Sequence, residues 1–353
     1  MPAKKSVAEA GANSKIAVPC EALPRWKASY SIIGNHSGLQ ICTWSKKALR
    51  GKGVCYKQKF YGVDTHRCAQ ISPAFAWCSE NCIFCWRPNE WMEEIKMKES
   101  QVDSPAEIIA GTVEERKKLV SGLRGAHDAQ EEKWKESFHM FPSHWAISLS
   151  GEPTLYPKLP EMVLELRRHP EVRSIFIVSN GQEPKMIEKL LKKDALPTQL
   201  YISVDAPDEK MFEKVNRPKY KDGWKRLNKT LGMLPKLDCR TVIRYTLIKG
   251  MNDSDSDIGK FAEMFEKSRA DFVEIKGYMF LGDSRKRLVF DNMPGHEYVR
   301  EYAQKISAFL LNYSIIDEDY LSRIVLLKRR DSPYGNLIEK AKCEKRKAKT
   351  AGG

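Results

Sequence analysis

The sequence predicts an α/β fold: a partial, TIM-like barrel of about six parallel strands that follows a cysteine-rich N-terminal extension. Short runs rich in β-branched and aromatic residues alternate with helical stretches between residues 144 and 311, which indicates repeated βα units. Polar residues suited to chemistry stand just after these runs, where the active sites of such barrels lie. The 353 residues suffice for one large domain, and no apolar run approaches the roughly 18 residues of a membrane span.

The predicted elements begin with a possible strand just before the cysteine loop at residue 78. A helix then starts at Ser104-Pro105-Ala106-Glu107, which has capping-box form with proline in the first turn, and extends to about Arg124. The predicted strands cover residues 144–149, 174–178, 199–204, 241–248 and 272–279. The predicted helices cover residues 158–169, 184–193, 208–215, 224–233, 256–268 and 294–311. This number of strands favours a partial barrel, although periodicity alone leaves open and closed sheets undecided.

Cys78, Cys82 and Cys85 form a CxxxCxxC triplet. Three thiolates can ligate three irons of a 4Fe-4S cluster and leave the fourth iron open. The open iron can chelate S-adenosylmethionine (SAM), so that an electron entering the cluster releases a 5′-deoxyadenosyl radical. The alternative is a structural zinc site or core cysteines, but zinc prefers paired ligands that close all four positions, and no second pair lies nearby. The triplet, with the aromatic Phe84 before its third cysteine, resembles the signature of the radical SAM superfamily.

A second set of cysteines, Cys42, Cys55 and Cys68, is spaced at intervals of thirteen residues. Six of the nine cysteines therefore lie between residues 42 and 85, and a second 4Fe-4S cluster with three cysteine ligands explains them most simply. Buried single cysteines are one alternative. Disulfides are another, but they are rare in the reducing cytosol that we expect for a chain without a signal peptide. The remaining cysteines are interpreted as incidental: Cys20, Cys239 and Cys343.

The cysteine-rich segment as a whole resembles a known family. The chain resembles the archaeal-type tRNA 4-demethylwyosine synthases at residues 48–62, at Cys68, at Ser72-Pro73 and at residues 78–87. The resemblance is close in this cysteine-rich segment and extends, more loosely, to about residue 330. The resemblance implies a lyase-class enzyme with two 4Fe-4S clusters and SAM. Such enzymes join pyruvate to N1-methylguanosine beside the anticodon of tRNA-Phe, forming 4-demethylwyosine in wybutosine biosynthesis.

Eukaryotic relatives in this family carry an N-terminal flavodoxin-like domain. Only about forty residues precede Cys42 here, so we expect an external electron donor of flavodoxin or ferredoxin type. Two alternatives stay open: a different radical SAM enzyme, against which the thirteen-residue spacing argues, and a non-catalytic RNA-binding protein stapled by metal sites.

Lys57 lies two residues after Cys55. The same resemblance implies that it corresponds to the family lysine proposed to form a Schiff base with pyruvate. That chemistry needs a neutral amine, and a cluster pocket with other cations would lower the pKa of the lysine. Most lysines are only solvated surface charges. Direct chelation of pyruvate by the open iron of the second cluster is the rival role, which would leave Lys57 as an electrostatic clamp.

The loops after the predicted strands supply candidates for binding SAM. Ser150-Gly151-Glu152-Pro153 resembles the superfamily's GGEP motif with serine in place of the first glycine, and Glu152 with adjacent carbonyls is expected to accept hydrogen bonds from the SAM ammonium. Polar residues at the next two strand ends are expected to bind the ribose and the methionine carboxylate; a Gly/Pro or Asn-Gly turn and a helix cap are the alternatives. The cofactor-binding set is Phe84, Gly151, Glu152, Pro153, Asn180, Ser203 and Asp205.

Within the following strand, Arg244 is expected to face the barrel interior, where a buried cation is costly without an anionic partner. That partner is either a ligand or a structural carboxylate.

The charge of the chain suits a polyanionic partner. Sixty Lys and Arg against 46 Asp and Glu give a net charge of +14. Basic proteins are common, so the stronger signal is local: cations alternate with aromatic rings that could stack on bases at Trp44, Lys46, Lys47, Arg50, Lys52, Tyr56, Lys57, Lys59, Phe60 and Tyr61. The residues predicted to contact RNA are Arg50, Lys52, Lys59, Arg285, Lys286 and Arg287. For the last three, a solvated loop is the alternative.

The expected domain organisation has four parts. Residues 1–30 form a loosely packed or disordered arm, 31–77 carry the second cluster, 78–330 form the radical SAM barrel and 331–353 are a basic tail. We expect a cytoplasmic monomer that does not contact membranes.

Overall fold

A computed structural model describes residues 30–92 and 95–338, and its centre is a mixed ten-stranded sheet. The strands are β1 (Ser31–Ile33), β2 (Ser37–Gln40), β3 (Cys68–Ser72), β4 (His144–Ile147), β5 (Ser174–Ser179), β6 (Gln199–Ser203), β7 (Arg240–Leu247), β8 (Phe272–Gly277), β9 (Tyr313–Asp319) and β10 (Ile324–Arg329). Of the two predicted arms, only Tyr30 and residues 331–338 are described; the rest, with Cys20 and Cys343, lies outside the described residues.

Six neighbouring strands, β3 to β8, run parallel in sequence order. Antiparallel strands extend both edges: β2 and β1 beside β3, and β10 and β9 beside β8. The predicted number of about six therefore corresponds to the parallel part alone, and these four antiparallel strands were not predicted. The sheet is open, since no ladder in the described parts joins β1 to β9.

The helices are α1 (Thr43–Leu49), α2 (Tyr56–Tyr61), α3 (Pro105–Ser121), α4 (Glu131–His139), α5 (Leu159–Arg168), α6 (Pro184–Lys192), α7 (Glu209–Val215), α8 (Gly223–Leu231), α9 (Ile258–Ser268) and α10 (His296–Phe309). The predicted βα alternation from β4 to α10 agrees with these bounds to within a few residues. The helices α1, α2 and α4 were not predicted.

The start of α3 has the predicted capping box. The Ser104 hydroxyl accepts a hydrogen bond from the Glu107 backbone N–H at 3.3 Å, and the Glu107 carboxylate accepts from the Ser104 N–H at 2.8 Å. Pro105 occupies the first helical position, where a backbone N–H would have no partner within the helix, so its missing N–H costs no hydrogen bond. The helix ends at Ser121, three residues before the predicted end.

The outward-facing residues of the parallel strands form the main core with the surrounding helices. Ile147, Ile177, Ile202, Ile243 and Val273 belong to this core and are fully buried. The residues that alternate with them face the other side of the sheet. Burial on both sides explains why these strands are nearly continuous apolar runs.

The inner face of the sheet is filled by the short helix α2. Its aromatic residues pack in one cluster with side chains from five neighbouring strands, β5 to β8 and β10, which contribute Phe176, Tyr201, Val242, Phe272, Ile324 and Leu326. Five strands about 4.8 Å apart reach one short helix only if the sheet curves around it. The curved sheet thus surrounds an interior whose floor is α2.

Within the described residues, no helix combines the length and the apolar character that crossing a bilayer requires.

The capping box predicts that Ser104→Ala lowers the free energy of unfolding by about 1 kcal/mol, because the first turn of α3 loses a side-chain acceptor for its free N–H groups. Ser121→Ala is the matched control, since this exposed hydroxyl near the other helix end only bonds the Lys118 carbonyl at 2.7 Å. Urea denaturation followed by circular dichroism measures both. Equal losses in the two variants would contradict the cap.

Candidate functional site

The first cysteine triplet lies on the loop that leaves the carboxyl end of β3, packed against the Ser150–Pro153 turn after β4. The Glu152 N–H donates to the Trp77 carbonyl at 2.7 Å. Gly151 has φ of +66°, and a Cβ there would stand 1.9 Å from the Ala74 carbonyl oxygen. Only glycine allows this close approach, so Gly151 holds the two loops together.

Burial raises the pKa of Cys78, Cys82 and Cys85, and the three thiols influence one another electrostatically. Buried thiolates need a metal to stabilise their charge. In the part of the chain that the structure describes, no three His, Cys, Asp or Glu side chains converge as the ligands of a single metal ion would. A 4Fe-4S cluster needs no such convergence, because each thiolate binds a different iron. The triplet, three buried thiols on one loop, therefore fits a 4Fe-4S cluster.

Buried acidic groups lie beside Cys82. The Glu80 carboxylate accepts from the Cys82 thiol at 3.2 Å and from the Asn216 amide at 3.3 Å, and the same amide donates to Asp205 at 3.3 Å. Burial raises the pKa of Asp205 to about 6 and that of Glu80 well above its usual range. Asp208, not Asp205, caps α7, so the helix-cap interpretation of Asp205 was wrong. Asp205 instead faces the cysteine loop through Asn216.

The Glu152 carboxylate is occupied by protein donors. One oxygen accepts from the Thr154 N–H and hydroxyl, at 3.0 and 2.5 Å, and the other accepts from the Asn180 N–H at 2.8 Å. The Asn180 amide also donates to the Ser79 hydroxyl at 3.0 Å, which ties this strand end to the cysteine loop. The backbone carbonyls of Glu152 and Pro153 accept from the N–H groups of Leu155 and Tyr156, each at 3.1 Å, so these predicted acceptors for the SAM ammonium are also hydrogen-bonded within the chain.

The other predicted cofactor-binding residues lie around the same edge. Pro153 is buried and begins a short turn after Glu152. Phe84 is partly buried in a small apolar cluster with Ile83 and Val215. Ser203 ends β6 and is paired in register with Arg244 of β7.

The second cysteine triplet is assembled by three different elements. Cys42 immediately precedes α1, Cys55 immediately precedes α2, and Cys68 is the first residue of β3. The charge of Cys42 raises the pKa of both Cys55 and Cys68, and that of Cys55 raises the pKa of Cys68, as expected for neighbouring thiols. Burial raises the pKa of Cys55 to about 11 and that of Cys68 to about 12. The structure thus brings near one another the three cysteines that were predicted, from their thirteen-residue spacing, to hold a second cluster.

Lys57 lies in the first turn of α2, and its side chain enters the interior of the sheet. The Nζ atom lies 4.6 Å from the ring centre of Phe176 and 4.7 Å from that of Tyr201. Burial, together with the nearby Arg244 guanidinium, lowers the pKa of Lys57 although Glu274 opposes the change. Lys57 is therefore half-buried between aromatic faces, unlike a solvated surface lysine.

Sequence reasoning missed two charged residues of this interior, Glu274 and Lys276 on β8. Glu274 is fully buried and accepts hydrogen bonds from the Tyr56 and Tyr61 hydroxyls, at 3.0 and 2.7 Å. Burial and Arg244 lower the pKa of Lys276 to about 8. The sequence did contain a signal for them: they are two charged residues, two positions apart, in an otherwise apolar strand. Because alternate residues of a strand face the same side, both side chains lie on the inner face.

The predicted RNA-contacting residues are all engaged with other groups of the chain. Arg50 and Lys52 form ion pairs with Asp128 at 2.7 and 2.5 Å, and Lys59 pairs with Asp317 at 2.7 Å. These cations remain partly exposed. Of the rings predicted to stack on bases, Trp44 is also only partly buried, but Tyr56, Phe60 and Tyr61 are at most 5% exposed, because these three form the floor of the interior. Their prediction as RNA-stacking residues was wrong.

The second basic group, Arg285 to Arg287, lies beside the first cysteine loop. Lys286 pairs with Asp283 at 3.1 Å, and the Arg285 guanidinium lies 5.3 Å from the Phe280 ring centre. Arg287 is only 14% exposed and donates to the carbonyls of Ile83 and Cys85. Its contacts favour a role in holding the cysteine loop.

Two family descriptions match the chain: "Radical SAM superfamily" over residues 73–262 and "Wyosine base formation" over residues 267–329. The S-adenosyl-L-methionine-dependent tRNA 4-demethylwyosine synthase of Pyrococcus horikoshii is 44% identical over 314 residues, covering 89% of this chain and 90% of that protein. The enzyme of the same name from Methanocaldococcus jannaschii is 39% identical over 309 residues, covering 86% and 94%.

A solved structure of TYW1 with a lysine-pyruvate adduct bound superposes with a TM-score of 0.79 at 35% identity, covering 91% of this chain and 99% of that one. Sequence and structural similarity thus extend over about nine-tenths of the chain. The chain therefore belongs to the radical SAM family of tRNA 4-demethylwyosine synthases.

Proposed function

We propose that this chain forms 4-demethylwyosine in tRNA, by condensing pyruvate with the N1-methylguanosine beside the anticodon of tRNA-Phe, as a step of wybutosine biosynthesis. The observation that carries the proposal is the arrangement of two cysteine triplets with a half-buried lysine between aromatic rings beside one of them. Family membership supplies the reaction. A different radical SAM enzyme, or a metal-stapled RNA-binding protein, explains neither the second triplet nor Lys57.

The first triplet and the loops packed against it are proposed to hold a 4Fe-4S cluster and SAM. When bound, these supply the radical that activates the methyl group of the modified guanine. The chain's own contribution is positional: Gly151 lets the two loops approach, Asn180 links them, and Asp205 with Glu80 and Asn216 forms a polar wall beside Cys82. Phe84, Pro153 and Ser203 complete the proposed cofactor surround.

Lys57 is proposed to hold pyruvate as an imine. Imine formation needs a neutral amine, and the lowered pKa of Lys57 that burial produces increases its neutral fraction. The imine nitrogen bonds to the keto carbon and water leaves, so the step needs no outside oxidant or reductant. The product's third ring then takes its two additional carbons from pyruvate, whose carboxyl carbon is lost.

The remaining assignments follow the family. Residues 31–77 would carry the second 4Fe-4S cluster on Cys42, Cys55 and Cys68 while also supplying β3 and α2, and residues 78–330 would form the rest of the catalytic barrel. We propose a lyase-class, cytoplasmic monomer that takes electrons from a flavodoxin- or ferredoxin-type donor. The tRNA would contact the exposed cations among Arg50, Lys52, Lys59, Arg285 and Lys286, with Arg287 shaping the rim.

The anaerobically reconstituted chain is expected to carry about eight irons, as two 4Fe-4S clusters. Cys82→Ala should halve the iron and abolish SAM cleavage. Cys55→Ala should also halve the iron but keep some cleavage that is not coupled to product. Iron analysis and the release of 5′-deoxyadenosine measure these effects. Cys239→Ala, which removes a buried cysteine outside both triplets, should keep all the iron. Zinc in place of iron would contradict the proposal.

Borohydride reduction with labelled pyruvate should leave the label on the peptide that contains Lys57, since reduction makes the imine permanent. Peptide mass spectrometry locates it. Lys57→Ala should lose the label, whereas Lys267→Ala, a 75%-exposed lysine on α9, should retain it. Unchanged labelling of Lys57→Ala would place the imine elsewhere, and loss of turnover without any trapping would favour chelation of pyruvate by iron.

The substrate is expected to be tRNA that carries the N1-methyl group, and not the free nucleoside. A base in a stacked anticodon loop reaches a buried site only when it is splayed out, which costs a few kcal/mol and must be offset by contacts to the tRNA backbone. Binding should weaken with salt, each neutralised phosphate adding about 0.7 to 0.9 to the log–log slope. Mass spectrometry of methylated and unmethylated tRNA tests this. Equal turnover of both, or of N1-methylguanosine, would contradict it.

A further inference from the structure

The interior above α2 gathers three basic side chains around one buried carboxylate. Lys57, Arg244 and Lys276 all face this space, and Glu274 is the carboxylate among them. Both oxygens of Glu274 already accept tyrosine hydroxyls. Lys276 donates to the Ser322 carbonyl at 2.5 Å. A buried cation costs free energy unless an anion or hydrogen-bond acceptors stabilise it, so the state of Arg244 is informative.

Arg244 has no such acceptor. Within residues 30–92 and 95–338, its guanidinium makes no hydrogen bond or ion pair, although its backbone carbonyl accepts from the Val204 N–H at 3.0 Å. The side chain is not sealed off, because Arg244 is only partly buried. Its five N–H donors are therefore available to a ligand that enters the interior.

The strand register places Arg244 beside Lys57. Val242 and Arg244 are alternate residues of β7 and face the same side, and Val242 packs in the cluster with α2. Val242 pairs with Tyr201 of β6, whose ring lies under the Lys57 Nζ, and Arg244 pairs with the next inward residue, Ser203. Arg244 thus stands one inward-facing position above the floor on which Lys57 lies.

We propose that Arg244 binds the carboxylate of the 2-keto acid whose keto carbon reacts with Lys57. A planar guanidinium matches a carboxylate with two parallel hydrogen bonds, and it would fix the neighbouring keto carbon relative to the amine. The site then selects 2-keto acids over simple ketones and aldehydes, because these leave Arg244 buried without an anion. The inference rests on the proposed function of Lys57 but concerns a different bond of the same substrate.

The position of Arg244 favours the keto acid over the methionine carboxylate of SAM. The groups that influence its guanidinium most strongly are Tyr56, Glu274, Tyr201 and Cys55. These belong to α2, its floor contacts and the second cysteine triplet. The charged groups around Cys82 are Glu80, the other two thiols of its triplet and Asp205; Arg244 acts on Asp205 as well, but no thiol of the first triplet is among the groups that act most strongly on Arg244.

The test is equilibrium dialysis of labelled pyruvate against the reconstituted, anaerobic protein. Arg244→Gln should weaken pyruvate binding by about tenfold to a hundredfold, the range for losing hydrogen bonds to a charged group. Arg244→Lys should fall between Arg244→Gln and the unchanged protein, since it keeps the charge but loses the paired geometry. Arg269→Gln, an exposed arginine that pairs with Asp331 at 2.9 Å, is the control and should bind pyruvate normally.

A second ligand, methyl pyruvate, separates the contribution of the carboxylate from that of the keto group. Methyl pyruvate keeps the keto group and lacks the charge, so Arg244→Gln should leave the yield of its borohydride adduct at Lys57 unchanged while the pyruvate adduct falls. Pyruvate binding by Arg244→Gln equal to that of the unchanged protein would overturn the proposal. Loss of iron in that variant would also overturn it, because Arg244 would then serve the second cluster.

The experiments test the proposed function of Lys57 separately from that of Arg244. If Lys57 forms no imine, neither ligand is trapped in any variant, yet Arg244→Gln still weakens the dialysis binding of pyruvate. Lys57→Ala in the same dialysis measures how much affinity the imine adds. The carboxylate contact and the imine are therefore distinguished by different readouts of the same set of proteins.

Discussion

The buried Glu274 carboxylate is the contact on which the arrangement of the catalytic interior depends. It accepts hydrogen bonds from the first and last residues of α2, Tyr56 and Tyr61, at 3.0 and 2.7 Å. A buried carboxylate is tolerated only when its oxygens are hydrogen-bonded. Moving α2 away from β8 would remove both tyrosine donors from Glu274 and would therefore cost free energy. Cys55 precedes this helix and Lys57 lies in its first turn. The middle cysteine of the second triplet and the amine proposed to react with pyruvate are therefore placed together.

The first triplet depends on a different constraint, the close approach of two loops. Gly151 lies against the carbonyls of Ala74 and Trp77, where any side chain would collide. The Asn180 amide adds a third strand end to the same network. Because the carboxyl ends of parallel strands share one edge, these loops converge there without long connections. The two triplets thus lie at the ends of one strand: Cys68 begins β3, and Cys78 follows it.

Much of this could be predicted because it is local or periodic. The βα repeats, the capping box at Ser104 and the turn at Gly151 each depend on residues close in sequence. The edge strand β9 was missed because its second half is acidic and its residues do not alternate between buried and exposed, whereas β10 was overlooked although it begins with four buried apolar residues. The segment from Tyr56 to Tyr61 was misread for the opposite reason. Its rings and cations suggested an RNA surface, whereas burial sends the rings inward and leaves Lys59 outside.

The sequence by itself determined the chemical identity of this protein: the spacing of Cys78, Cys82 and Cys85, the glycine turn after β4, and the family to which they belong. Ligand spacing within a loop and backbone freedom at a glycine are properties of neighbouring residues, so they are visible without a fold. Only the tertiary structure decided the environment of Lys57, between the rings of Phe176 and Tyr201 and below Arg244. These partners come from separate strands, and the pKa of an amine depends on burial and on charges that only the curved sheet brings together.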